Sequence, residues 1–132
     1  MLFYILRDAT VQNSIKVNIC LNGYDNHCEN TLSKLISEKM LLKKIEFYER
    51  MSRVSQQYDE RAGVNLNSLK VNKLSLSDNS GIVDVSYLWD AYHDFEDINS
   101  SAQVQDSWMF KVENNQAIFS LDLPEQHIVH EI

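Results

Sequence analysis

Glycine and proline are scarce in this chain, three and one in 132 residues. That scarcity excludes flexible linkers, low-complexity segments and a loop-dominated fold. Two cysteines, Cys20 and Cys28, are too few for a disulfide framework, so free thiols and a soluble, cytosolic protein are expected. No apolar run approaches transmembrane length. The opening MLFYILR is too short for a secretory leader, and its arginine follows the apolar stretch rather than preceding it. There is no G-x-S-x-G, and too little glycine for a phosphate-cradling loop. Cations are missing from one long interval: between Lys73 and Lys111 the chain carries seven acids and no lysine or arginine.

The net charge of −7 is therefore unevenly spread. Residues 1–73 hold eleven cations against eight acids, whereas residues 74–132 hold one cation against eleven acids. Such a half repels nucleic acid, whose recognition needs clustered cations. It attracts and steers a basic protein. The length is that of a single domain over residues 1–132.

The patterning then gives the elements. MLFYIL reads as a short strand, and SIKVNICL alternates with Ile15, Val17, Ile19 and Leu21 on one side. LNGYDNHCEN gathers turn formers, and Asn30 or Thr31 is placed to cap a helix. Over residues 31–61 the period becomes helical. Leu32, Leu35 and Ile36 form one patch, and Leu41, Ile45, Tyr48, Met51, Val54 and Tyr58 form a second, slightly out of phase. One long helix is predicted, bent or broken near residues 37–39 and stopped at Gly63. Phe47 and Leu42 fall off the main stripe, as a broad face cradled by a curved sheet would require. Strands follow at Leu66–Leu76, residues 82–97, residues 103–112 and AIFSLDL, separated by the turns SDNSG and ENNQ. Short links imply an antiparallel meander. The segment 124–132 is either a loose tail or an added edge strand. The fold class is α+β, with the helix on a curved antiparallel sheet of about four to six strands.

The stretch GIVDVSYLWDAYHDFEDI holds five carboxylates. Read as a strand, it sends Val83, Val85, Tyr87, Trp89, Ala91, His93 and Phe95 to one face. The other face receives Asp84, Ser86, Leu88, Asp90, Tyr92, Asp94 and Glu96. Solubilisation alone explains any one of these acids. A run without interspersed lysines, studded with Leu88 and Tyr92, better suits a protein interface. The expected partner-binding residues are Asp84, Leu88, Asp90, Tyr92, Asp94, Glu96 and Asp97. An inward His93 beside acids is the best acid–base candidate, yet a lone strand histidine is more often a hydrogen-bonded core residue. His127 and His130 with Glu131, or His27 and Cys28 near Asp25, lack the paired spacing of structural zinc sites. Cys20 has no evident base. Neither a catalytic residue, a metal nor a cofactor is expected.

In element order the chain resembles the cystatin-like grouping, including the nuclear-transport-factor-like and ketosteroid-isomerase-like proteins. In size, acidity and architecture it is similar to the immunity proteins of bacterial toxin systems, including contact-dependent inhibition. That resemblance implies a cytoplasmic, non-enzymatic module that covers a cationic nuclease toxin, its acids standing in for substrate phosphates and Leu88 and Tyr92 acting as anchors. The ketosteroid-isomerase likeness implies instead a small-molecule enzyme or ligand-binding domain with His93 in a sheet-lined pocket. Size and pI also match acidic secretion chaperones, which are commonly dimers.

Overall fold

A computed structural model describes residues 13–21, 29–93 and 98–125, and the side chains of 13–21, 31–92 and 100–125. Strand β1 (Ser14–Cys20) precedes helix α1 (Glu29–Leu42), a 3-10 turn (Lys44–Phe47) and helix α2 (Tyr48–Gln56). Strands β2 (Gly63–Ser77), β3 (Ser80–His93), β4 (Ile98–Glu113) and β5 (Gln116–Asp122) follow and complete the described elements. They form one sheet in the order β1-β5-β4-β3-β2, antiparallel throughout. The fold is α+β, two helices on a five-stranded sheet.

The expected turns are where the ladder reverses. Asn114 and Asn115 both take left-handed φ, 50° and 60°, as a two-residue hairpin with the sheet's twist requires. Asparagine tolerates that conformation better than most residues. Asp78, φ 59°, reverses β2 into β3. Gly81 answers a different demand. The Phe110 ring lies across it, and a Cβ there would sit 2.3 Å from the ring's Cζ atom.

One helix face and one sheet face make the core. Ile36, Met40, Phe47, Met51 and Ser55 point inward. Phe47 stacks on Trp108 at 4.7 Å and 8°, and meets Phe119 edge-on at 5.3 Å. From the sheet come Val17, Ile19, Val83, Val85, Tyr87, Val104, Phe119 and Leu121.

The helical region departs from expectation: two helices flank a 3-10 turn in place of one long helix, and the second ends at Gln56, with Gly63 opening β2. No break falls at residues 37–39; α1 runs through them and ends at Leu42, before the 3-10 turn. Phe47 is fully buried, as the broad face requires, but Leu42, expected on the same face, is exposed, as are Leu41, Ile45 and Tyr48. Two half-buried lysines occupy the flank between Met40 and Phe47, and their amines reach the sheet. Lys43 donates to the Asn18 carbonyl and Lys44 to Asn67 Oδ1, as Lys39 does to the Cys20 carbonyl.

The predicted strand MLFYIL lies outside the described residues, as do residues 126–132. The start of the 124–132 segment is held against α2. Arg53 donates to the Pro124 carbonyl and Gln57 to that of Glu125.

The sheet is not continuous along its whole length. β4 pairs with β3 from Ile98 to Lys111, but with β5 only from Phe110 to Glu113. Beyond Phe110 the strands part, and Arg50 of α2 bridges them. Its guanidinium binds Asp106 of β4 bidentately, at 3.0 and 3.1 Å, and donates to the Asp122 carbonyl of β5.

Candidate functional site

Alternation along β3 divides its residues as expected. Val83, Val85, Tyr87, Trp89 and Ala91 are buried toward the helices. Asp84, Ser86, Leu88, Asp90 and Tyr92 lie on the opposite face. Leu88 is 46% exposed and Tyr92 51%. Asp90 is exposed, Asp84 is half-buried, and Ser86 is buried even on this side. Asp94, Glu96 and Asp97 lie outside the described residues, as does the side chain of His93.

Strand register corrects the picture of an unneutralised acidic strip. Lys73 of β2 is the cross-strand partner of Asp84, and Lys70 that of Ser86. A linear gap in cations is filled sideways by the neighbouring strand. Along the five strands, this face carries Lys16, Lys70, Lys73 and Lys111 against Asp84, Asp90, Glu113 and Asp122. The described face is thus balanced, with apolar side chains set in it: Ile82, Leu88, Tyr92 and Met109.

Two grooves open here. The first, about 750 Å³, is lined by Asn72, Asp84, Ser86, Gln103, Gln105 and Ser107. Ser107 Oγ donates to Asp84 Oδ1 at 2.8 Å, fixing the carboxylate at the groove wall. The second, about 410 Å³, has Met109 and Ile118 in its lining, with Lys16 and Lys111. Sequence reading missed Asn72, Gln103, Gln105 and Ser107. The alternation QVQDS was the available signal, but only pairing with β3 shows that these side chains stand beside Ser86 and Asp84.

On the helix side, the polar groups serve the fold. Asp106 accepts from Arg50, from Trp108 Nε1 at 2.9 Å and from the Ser107 backbone N–H at 2.9 Å. Burial, reinforced by the nearby Asp106 carboxylate, pushes the Tyr87 hydroxyl well above the ordinary tyrosine pKa of 10.0, against the pull of Arg50. Ser55 stands close enough to favour the phenolate slightly, yet the two hydroxyls do not meet hydrogen-bond geometry. Among the described residues, no three His, Cys, Asp or Glu side chains come together as a metal site would need. None of the described helices is long and apolar enough to cross a membrane.

These features define an α+β protein whose sheet has one helix-covered face and one open face, which no described element covers. No family model, curated protein or solved structure matches the chain.

Proposed function

We propose that the protein is a binding module that docks on a basic protein through the open face of its sheet. The observation that carries this reading is the exposure of Leu88 and Tyr92 on the same strand face as Asp84 and Asp90. Apolar side chains that can be desolvated, surrounded by hydrogen-bonding groups, are the usual make-up of an interface centre. The described face is balanced, so the pull on a basic partner comes from Asp94, Glu96 and Asp97. They fall in the sequence between the ends of β3 and β4. The cystatin-like order of elements and the toxin-immunity role belong to the same proposal. The acids would cover the cationic surface of a toxin domain, with Leu88 and Tyr92 as anchors.

Capture from the native host, followed by titration of the captured partner, tests this reading. Replacing Leu88 and Asp90 by alanine together is expected to weaken the complex by about 2–5 kcal/mol, as for the truncation of buried interface groups. Unchanged affinity would remove the face from consideration. A secretion-chaperone role would instead show a dimer in sedimentation and capture of unfolded segments.

A further inference from the structure

The parting of β4 from β5 leaves a second strand edge inside the sheet. The two-residue turn at Asn114 and Asn115 makes Glu113 and Gln116 the pair that closes the hairpin. In such a ladder alternate residues turn both N–H and C=O to the same neighbour. The odd positions of β4 therefore face β5, and the even ones face β3. The Val112 N–H bonded to the Asn79 carbonyl and the Leu88 N–H bonded to Ser68 Oγ agree with that parity. Beyond Phe110 the odd positions have no strand beside them among the described residues. Asp106 Oδ1 takes the N–H of Ser107. Ser101, Gln103 and Gln105 then present their backbone N–H and C=O groups outward, and all three residues are exposed.

Open edges are normally guarded by lysine, proline or bulges. The outermost strand β2 follows that practice, with Lys70, Lys73 and two register shifts. The β4 edge does not. Residues 98–105, INSSAQVQ, include no charge and no proline. An unguarded edge on a long strand is suited to receive another strand. The edge belongs to the acidic half of the chain, residues 74–132, which hold one cation against eleven acids. On its open-face side lies the groove walled by Asp84, Gln103 and Gln105.

The geometry points to β4 residues 101–105 as a β-augmentation edge that takes an extended, lysine- or arginine-bearing segment of the partner protein. This rests on the reading of the protein as a module for a basic partner and adds the mode of contact. The incoming strand bonds to the backbone at Ser101, Gln103 and Gln105. Its side chains on the open-face side run alongside the groove, where its cations face the Asp84 carboxylate.

The test uses an alternating lysine–valine peptide as the probe and residue-resolved amide exchange of the full chain as the readout. Ser101, Gln103 and Gln105 are expected to exchange at least tenfold more slowly with peptide bound. The effect should vanish with a peptide N-methylated at alternate amides, and be absent with a glutamate–valine peptide. Gln103→Pro removes one outward N–H and is expected to abolish the protection; the N-methylated peptide gives the same information with the protein unaltered. Binding of the lysine peptide without protection at these three amides overturns the edge and leaves the open face as the docking surface. Slow exchange in the free protein means the edge is already covered, by the chain itself or, where it depends on concentration, by a second copy, and also overturns the proposal. Failure of the lysine peptide to bind overturns it too. The Leu88 and Asp90 variants on the captured partner then report on the open face independently.

Discussion

Asp106 shows how much one side chain can be asked to hold. Its carboxylate receives a bidentate guanidinium, an indole N–H and a backbone N–H, and the Arg50 and Asp106 side chains are only 18% and 15% exposed. Removing one partner of such a pair leaves the other charge desolvated. Asp106→Ala is expected to destabilise the fold by about 3–5 kcal/mol in denaturant unfolding, whereas replacing Arg50 and Asp106 together by methionine and leucine should recover much of that loss. Tyr87 lies nearby, with its pKa raised chiefly by burial. Because only its neutral form is well accommodated, the contribution of Tyr87 to stability is complete below about pH 10, the value for an exposed tyrosine. It declines as the pH climbs above that toward the folded-state value, by up to about 1.4 kcal/mol per pH unit. Tyr87→Phe should flatten this alkaline limb, measured as the difference in unfolding free energy between the two proteins across the pH range. At Gly81 the constraint is space. Gly81→Ala pushes a methyl group into the Phe110 ring, with an expected cost of about 1–3 kcal/mol in the same assay.

Elements were legible in the sequence wherever the period stayed clean. β1 and β3 alternate without interruption, and Val17, Ile19, Val83, Val85, Tyr87, Trp89 and Ala91 are buried as the alternation names them, His93 and Phe95 lying outside the described side chains. Both hairpin turns are announced by runs of asparagine, aspartate and serine. The helices were harder to phase. Phe47, off the main stripe, stacks on Trp108 at the centre of the core as the broad face requires, whereas Leu42, assigned to that same face, is exposed. The flank between Met40 and Phe47 carries lysines whose amines reach the sheet, and a pattern of apolar letters cannot register such contacts. Phe47→Ala is expected to cost about 3–5 kcal/mol, and Leu42→Ala, 82% exposed, to stay within about 0.5 kcal/mol in parallel thermal or denaturant unfolding. The candidate site was half legible. Parity set Leu88, Asp90 and Tyr92 on one face, but the lysines opposite Asp84 and Ser86 come from a neighbouring strand. Pairing between strands is information that a single strand's pattern does not contain.

Taken whole, the described sheet has one face packed under the helices and one that no described element covers. The helix-side face is filled with aromatic and aliphatic side chains, and the charge imbalance of the sequence lies in residues 74–132. On the proposed reading, association with a basic partner should be fast at low salt. It is expected to slow by about tenfold or more toward physiological ionic strength, where the Debye length is about 8 Å, in stopped-flow mixing. The closure of the sheet has a further consequence, for the order in which it is built. β2, β3, β4 and β5 follow one another at short sequence separations, so their pairings involve neighbours along the chain and little loop-closure entropy. β1 instead pairs Ser14 with Asp122, bringing the first described strand to the last. Such a contact rewards the chain only after everything between has been arranged. The first of the five described strands is thus set to be the last of them to dock. The same asymmetry makes β1 the natural place for the native protein to open first.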